Sequence, residues 1–237
     1  MTRITTLLFD FDGTLADTTG TILKAMRMTL DALGLPQTAE KQIKSSIGLP
    51  LHECIKRAGN IPDELSEKAA EYYHLFFRQL LFGSRQAEGD AAGKAVSAKP
   101  EGAPVLYEGV KETLEALHGQ GYVLGITTSR KRVTLLPMLE NFGIRNLFGS
   151  IVTADDIEHP KPAPDTVLRA LGELDRKPEE TLVVGDATYD IEMGRRAGCS
   201  TCGVSFGNQG RALLETAGPD RIIDSMRELP AVIAQLR

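Results

Sequence analysis

A short apolar run, Leu7–Phe9, ends in two aspartates, Asp10 and Asp12, and this stretch constrains the fold more than any other. A run of this length that stops at carboxylates predicts a buried strand with charge at its C-terminal end. Gly13 marks the point where the chain can turn away from that strand. Packing of leucine and phenylalanine requires no acid here, and buried carboxylates need a cation or hydrogen-bond donors. We therefore expect chemistry at the end of this first strand.

Two other interpretations of the aspartates are a calcium-binding loop and an acidic strand end without chemistry. A calcium loop of the DxDxDG type requires a third acid at position 14. Thr14 occupies that position, so the spacing argues against calcium. The plain acidic strand end stays open until the rest of the chain is considered.

From Val105 onward, short apolar runs alternate with stretches of helical periodicity. This alternation predicts an α/β fold with a parallel, doubly wound sheet. In such a sheet, ligands bind beyond the carboxyl ends of the strands. The predicted strands of this part are Tyr122–Ile126, Ser150–Thr153, Thr181–Gly185, Thr201–Val204 and Arg221–Ile223. The predicted helices are Val110–His118, Val133–Asn141, Thr166–Leu174, Ile191–Ala197, Ala212–Thr216 and a last one near Ala231–Leu236.

The stretch between these two parts shows a different pattern. Residues 17–82 carry only helical periodicity, with no strand pattern. In residues 83–104, Gly, Ala, Ser, Lys and Glu dominate, which predicts a flexible connector or insertion. We therefore expect a core domain made of residues 1–16 and 105–237, and an inserted helical domain at 17–104 that includes the flexible segment 83–104.

Two later strand ends carry polar residues suited to chemistry. Thr127 and Thr128 follow the apolar run that ends at Ile126, where a hydroxyl and helix N–H groups can bind a phosphate oxygen. A simple helix cap is the alternative for these threonines. Asp186 directly follows a strand, and Asp190 falls on the first turn of the next helix, where a partner of the helix dipole is the alternative.

Lys161 is the candidate cation for this edge of the sheet. It lies among three prolines, Pro160, Pro162 and Pro164, which exclude a helix and fix the direction of the lysine. Taken alone, a solvated lysine on a rigid surface loop is the more common situation.

The acids predict a metal ion if they converge. Each pair among Asp10, Asp12 and Asp186 at ~4 Å would repel by roughly 4 kcal/mol at an effective dielectric near 20. Lys161 alone cannot offset three carboxylates. A divalent cation can, and an all-oxygen carboxylate site favours magnesium over zinc. We expect Mg²⁺ as the cofactor.

Taken together, these motifs resemble those of the haloacid dehalogenase-like hydrolases. The first is Asp10-Phe-Asp-Gly-Thr-Leu15, which matches DxDGT[LV]. Thr127 matches the second motif, Lys161 in its KPxP context matches the third, and Gly185–Asp190 supplies the fourth, GDxxxD. The resemblance covers essentially the whole chain and implies a Rossmann-like core with an inserted helical cap.

The resemblance implies catalytic roles for four residues. Asp10 is expected to be the nucleophile that forms an aspartyl-phosphate, and Asp12 the general acid/base. Thr127 is expected to bind the phosphoryl group, with Thr128 as the reserve choice. Lys161 is expected to hold the nucleophile and the phosphoryl oxygens by its charge.

The metal and substrate contacts are likewise implied by the resemblance. The expected metal ligands are the side chains of Asp10 and Asp186 and the backbone carbonyl of Asp12, with Asp190 supporting the site or binding through water. Gly13 and Thr14 are expected to contribute to substrate binding.

The helical insertion resembles the C1 caps of the family, which exclude water and select the substrate. The stretch Gly48–Glu53 looks most like the specificity loop of the phosphoglycolate phosphatase group. We expect a magnesium-dependent phosphatase for a small phosphomonoester, with 2-phosphoglycolate as the leading candidate. The alternatives are a pyrophosphatase, a 5′-nucleotidase and a β-phosphoglucomutase-like phosphotransferase. A catalytically silent binding or regulatory protein of the same fold is the alternative outside the enzymes.

Composition limits the partners and the location. The net charge of −5 argues against a nucleic acid polymer as substrate, whereas a small phosphorylated metabolite remains suitable. The three cysteines are too few and odd in number for a disulfide framework. No signal-peptide pattern and no apolar run of about 18 residues is present, so we expect no membrane association and a cytoplasmic protein. The sequence does not indicate the oligomeric state.

Overall fold

The structure is a computed structural model that describes residues 3–59, 61–83 and 102–236. These residues divide into two compact units. The first comprises Met1–Asp17, Gly48–Pro50 and Leu106–Arg237, and the second comprises Thr18–Ile47 and Leu51–Val105. The unit that contains the predicted core therefore also includes the three-residue segment Gly48–Pro50.

The first unit is built on a parallel sheet of six strands. Its strands are β1 Thr6–Phe9, β4 Val123–Thr127, β5 Ser150–Val152, β6 Thr181–Gly185, β7 Ser200–Val204 and β8 Arg221–Ile223. They lie in the order β5-β4-β1-β6-β7-β8, and every neighbouring pair is parallel. Starting from β1, the chain adds β4 and β5 on one side of it and then β6, β7 and β8 on the other. The sheet is therefore doubly wound, and the predicted fold class is confirmed.

The helices of this unit alternate with the strands, as a parallel sheet requires. They are α5 Val110–Gly119, α6 Arg132–Phe142, α7 Asp165–Leu174, α8 Thr188–Arg196, α9 Gly210–Ala217 and α10 Leu229–Gln235. The central strands are buried along their whole length, with β1 reading TLLF and β6 reading TLVVG. Continuous apolar runs of this kind are typical of parallel strands that are covered on both faces.

The second unit is helical. It contains α1 Thr19–Ala32, α2 Glu40–Ser46, α3 Leu51–Gly59 and α4 Ser66–Phe82. Ile22, Met26 and Leu30 repeat at four-residue spacing along α1 and are buried against α4, where the rings of Tyr73 and Phe77 stack with centroids 5.8 Å apart. Burial of each such side chain contributes about 1.5–3 kcal/mol, so this stripe holds the helices together.

The differences from the sequence predictions are small and local. The structure has two further short strands, β2 Ala16–Asp17 and β3 Val105–Leu106, which form a separate two-stranded sheet. Two residues are too short to show a period, so no sequence pattern indicated them. Residues 84–101 of the predicted connector lie outside the described residues. The three cysteines are free and buried, and no helix of the described part is long and apolar enough to cross a membrane.

Candidate active site

Three neighbouring strands bring the predicted site residues to one edge of the sheet. In the register of the sheet, Phe9 of β1 lies between Ile126 of β4 and Val184 of β6. The residues that follow these three positions therefore emerge side by side at the carboxyl ends of the strands. Asp10 continues the pairing, because its N–H donates to the carbonyl of Val184 at 2.9 Å.

Lys161 joins two carboxylates in the interior of this edge. Its Nζ donates to Asp10 Oδ1 at 2.6 Å and to Asp190 Oδ1 at 2.6 Å. The lysine side chain is 1% exposed, so it is a buried cation shared by two acids and not a solvated surface lysine. Asp190 also accepts the N–H of Ala187 at 3.1 Å, which fixes it at the start of α8.

Burial and crowding shift the pKa values of this cluster. Burial raises the pKa of Asp10 to about 7, because Lys161 opposes the shift only in part and Asp190 and Asp12 add to it. Burial also raises the pKa of Asp186 well above its usual range, with Asp10 and Asp190 contributing and hydrogen bonds from Asn208 opposing. For Lys161, burial works against the charged form, yet the two carboxylates outweigh it and raise its pKa above the usual value.

Asp186 is held by donors from two other loops. Asn208 gives it two hydrogen bonds, from the backbone N at 2.7 Å and from Nδ2 at 3.0 Å, both to Oδ2. Thr14 Oγ1 donates to Oδ1 at 3.3 Å. Gly13 has φ +92°, and a Cβ there would lie 2.2 Å from Asp186 Oδ2. Only glycine therefore allows the turn after Asp12 to approach Asp186 so closely.

Asp12 faces a different partner. Arg130 binds its carboxylate in a bidentate manner, with Nε 2.8 Å from Oδ2 and Nη2 2.6 Å from Oδ1. The two side chains are 12% and 7% exposed, so the pair is largely removed from water. The backbone carbonyl of Asp12 accepts from Asn208 Nδ2 at 3.5 Å.

The two threonines after β4 differ in their hydrogen bonding. Thr127 Oγ1 is buried and has no hydrogen-bond partner among the described residues. Thr128 Oγ1 accepts the backbone N–H of Arg130 at 3.2 Å. A buried hydroxyl without a partner costs free energy, and a phosphoryl oxygen would satisfy it, so Thr127 is the better placed of the two to bind one.

A divalent cation fits the carboxylates of this site. Oxygens of Asp10, Asp186 and Asp190 lie within 4.8 Å of one another. Asp10 Oδ2 is buried and has no hydrogen-bond partner in the described part of the chain. Hard, all-oxygen donor sets of this kind suit magnesium, and its charge would offset both the burial and the repulsion that raise the pKa values of Asp10 and Asp186.

The structure brings together every residue that the sequence predicted for the site, although the roles of these residues stay predictions. Two further residues of the site, Arg130 and Asn208, were not predicted from the sequence. Arg130 is one of three consecutive basic residues, and nothing in the sequence distinguishes it from Lys131 and Arg132. Asn208 follows β7, so the rule that ligands lie at strand ends could have indicated it.

Comparison with known proteins identifies the family. The haloacid dehalogenase-like hydrolase family matches residues 7–204. The chain is 35% identical over 234 residues to the pyrophosphatase PpaX of Bacillus anthracis, an alignment that covers 99% of this chain and 98% of the relative. It is 34% identical over 231 residues to the pyrophosphatase PpaX of Anoxybacillus flavithermus, with coverage of 98% and 97%.

Solved structures of similar fold agree with this assignment. A predicted phosphoglycolate phosphatase from Haemophilus somnus superimposes with a TM-score of 0.82 at 25% identity, covering 98% of this chain and 99% of that one. A haloacid dehalogenase-like family hydrolase from Streptococcus pneumoniae gives a TM-score of 0.79 at 26% identity, with coverage of 98% and 99%. These matches confirm the predicted family and the prediction of a hydrolytic enzyme, and the chain belongs to the haloacid dehalogenase-like hydrolases.

Proposed function

We propose that this protein is a magnesium-dependent phosphatase that acts on small phosphate compounds through an aspartyl-phosphate intermediate. The observation that carries the proposal is the state of Asp10. One of its oxygens is fixed by Lys161, and the other is buried without a hydrogen-bond partner among the described residues. A carboxylate in this condition is oriented and has an oxygen available for a new bond.

The first step transfers the phosphoryl group to the enzyme. A carboxylate oxygen of Asp10 attacks phosphorus, and the bond from phosphorus to the leaving group breaks. Lys161 stabilises the charge on the nucleophile and the phosphoryl oxygens, and Thr127 donates its hydroxyl to one of them. Asp12 gives a proton to the leaving oxygen. When bound, Mg²⁺ would be held by Asp10, Asp186 and the carbonyl of Asp12, and would neutralise the charge of the phosphoryl group.

The second step restores the enzyme. Asp12 accepts a proton from water, whose oxygen attacks phosphorus, and the bond between phosphorus and Asp10 breaks to release phosphate. Throughout both steps, Asp190 holds Lys161 in place through the 2.6 Å hydrogen bond. Asn208 and Thr14 keep Asp186 oriented.

For the substrate, we place pyrophosphate and 2-phosphoglycolate first. The relatives named pyrophosphatase support pyrophosphate, at 35% identity along almost the whole chain. The structural neighbour named as a phosphoglycolate phosphatase supports the candidate that the sequence favoured. A nucleoside monophosphate comes next. We keep the cytoplasm as the proposed location because the cysteines are free, as is usual in a reducing compartment.

The test combines turnover with detection of the intermediate. We would measure phosphate release from pyrophosphate, 2-phosphoglycolate and a nucleoside monophosphate, with magnesium and with a chelator. Rapid acid quenching followed by peptide mass spectrometry should find a phosphoryl group on the peptide that contains Asp10. Absence of magnesium-dependent phosphate release from all three compounds and from p-nitrophenyl phosphate would refute the proposal.

A further inference from the structure

Arg130 is a charged residue at the site, its side chain is 7% exposed, and the family motifs assign it no role. Its guanidinium donates one N–H to each oxygen of Asp12, at 2.8 and 2.6 Å. Bidentate pairs of this type fix the plane of the carboxylate as well as its position. Asp12 therefore has a single defined orientation in this structure.

The loop that carries Arg130 is itself held firmly. The backbone N–H of Arg130 donates to Thr128 Oγ1 at 3.2 Å, and its carbonyl accepts the N–H of Ala154 at 3.2 Å. Its Nη1 donates to Thr134 Oγ1 at 3.4 Å, on the first turn of α6. The guanidinium is thus anchored from the backbone and from the side chain, which is the arrangement needed to orient another group.

We propose that Arg130 is the positioning residue of Asp12. This inference rests on the proposed function, in which Asp12 transfers a proton to the leaving group and accepts one from water. A general acid/base must lie within hydrogen-bond reach of the reacting oxygen, and the side chain of an aspartate that directly precedes a turn needs a partner to hold it in one rotamer. Arg130 supplies that constraint from the end of β4.

A lysine cannot reproduce this function. The ammonium group is a point charge on a flexible stem, whereas the guanidinium is planar and matches both carboxylate oxygens. Arg130→Lys should therefore keep the charge at the site and lose the orientation. This separates positioning of Asp12 from a general electrostatic effect of a nearby cation.

The first experiment compares two leaving groups with magnesium present. Proton donation matters for the alkyl oxygen of 2-phosphoglycolate and little for p-nitrophenolate. In single-turnover experiments that follow release of the leaving group, Arg130→Gln should lower the rate for the alkyl ester by about 10- to 100-fold, less than the roughly 10²- to 10⁴-fold that acid/base catalysis contributes in full. For p-nitrophenyl phosphate the loss in the same rate should stay below about 3-fold. The half-saturating concentration of both compounds should stay within about 2-fold, and Arg130→Lys, which loses the orientation, should lose nearly as much as Arg130→Gln.

Arg132→Gln is the matched control. Arg132 lies two residues further along the chain, at the start of α6, and pairs with Asp156 at 2.6 Å. Its replacement should leave both single-turnover rates near wild type, so it reports the effect of losing an arginine ion pair from this segment. Thermal unfolding of all variants shows which are folded, and Arg130→Lys serves if Arg130→Gln is not.

The second experiment places Arg130→Gln in the Asp12→Asn background. If Arg130 acts through Asp12, the double variant should lose less than about 2-fold relative to Asp12→Asn alone. Independent, multiplicative losses would overturn the inference, as would equal losses for the two leaving groups. A rise in the half-saturating concentration with an unchanged maximal single-turnover rate would overturn it too, because Arg130 would then bind substrate. A wild-type protein that releases no phosphate would instead refute the proposed function.

Discussion

Asp10 and Asp12 are separated by one residue, yet they lie in different environments: Lys161 binds Asp10, and Arg130 binds Asp12. On one side, Lys161 is shared between Asp10 and Asp190, and Asp10 Oδ2 has no hydrogen-bond partner among the described residues. On the other side, both oxygens of Asp12 are bound by Arg130. The Lys161 side is deeply buried and leaves an atom available for bonding, whereas the Arg130 side is already satisfied.

The difference shows how two identical side chains acquire separate tasks. Lys161 is shared between two carboxylates, which leaves net negative charge that attracts a cation. Without a metal ion, burial raises the pKa of Asp10 to about 7, and the neighbouring carboxylates add to this shift. The planar guanidinium of Arg130 binds both oxygens of Asp12, so it fixes the orientation of that carboxylate and balances its charge. The first environment leaves an oxygen for the covalent bond that we propose for Asp10, and the second holds the carboxylate of Asp12 in one orientation.

The largest expected effect comes from replacing Asp10, the proposed nucleophile. Asp10→Asn should lower kcat by about 10⁴-fold or more, because an amide cannot form the acyl phosphate. The variant should remain folded, since it removes one carboxylate from a crowded cluster. Phosphate release with a sensitive coupled assay, and circular dichroism as the control for folding, provide the measurement. Retention of a tenth of the activity would show that Asp10 is not the nucleophile.

Replacement of Asp12 tests the Arg130 side. Asp12→Asn should lower the single-turnover rate of leaving-group release from 2-phosphoglycolate by about 10²- to 10⁴-fold, which is the usual value of general acid/base help. p-Nitrophenyl phosphate should suffer less, because its leaving group hardly needs a proton. The ratio of the two losses is the quantity to measure. A ratio of one would contradict the role of Asp12 as an acid.

The shared lysine can be tested through stability as well as activity. Lys161→Met leaves Asp10 and Asp190 buried without their cation, and loss of one partner from a buried ion pair costs about 3–5 kcal/mol. The metal-free variant should unfold at lower urea concentration than wild type, and the kcat of the variant with magnesium should fall by about 10²- to 10³-fold. A free energy of unfolding equal to wild type would mean that the acids are neutral in the folded protein.

The smallest expected effect is a dependence on pH and magnesium. Because the pKa of Asp10 rises from 3.8 to about 7 on folding, the metal-free folded state binds a proton that the unfolded state has released. This contribution to stability is present at low pH and is lost as the pH rises from about 4 to about 7. Bound magnesium requires ionised carboxylates, so its stabilisation should increase over the same range.

Thermal unfolding measures this effect directly. Addition of magnesium should raise Tm by about 3–8 °C at about pH 8 and by much less at about pH 5.5. Asp10→Asn should reduce the difference between the two pH values, whereas Arg132→Gln should leave it unchanged. The same rise in Tm at both pH values would argue against a metal held by Asp10.

Sequence patterns indicated the fold and part of the site for identifiable reasons. β1 and β6 are continuous apolar runs, and Asp10 and Asp186 directly follow them. Because the carboxyl ends of parallel strands meet at one edge of a sheet, the sequence places the two aspartates together. Arg130 was not indicated, because its pairing with Asp12 joins positions 118 residues apart and depends on how the loop after β4 folds. The burial of Lys161 was equally beyond a local pattern, since its proline-rich surroundings suit a surface loop.

The segment Gly48–Pro50 has a consequence for any attempt to exchange parts between relatives of this protein. It interrupts the helical unit in sequence but belongs to the sheet unit, and Ser129 Oγ donates to the carbonyl of Gly48 at 2.9 Å. The chain therefore crosses between units after Asp17, Ile47, Pro50 and Val105. A chimera that transplants the helices as one cassette would carry a foreign piece into the acceptor's catalytic unit. A graft that follows the division into units exchanges Thr18–Ile47 and Leu51–Val105 as two separate pieces and keeps Gly48–Pro50 of the acceptor.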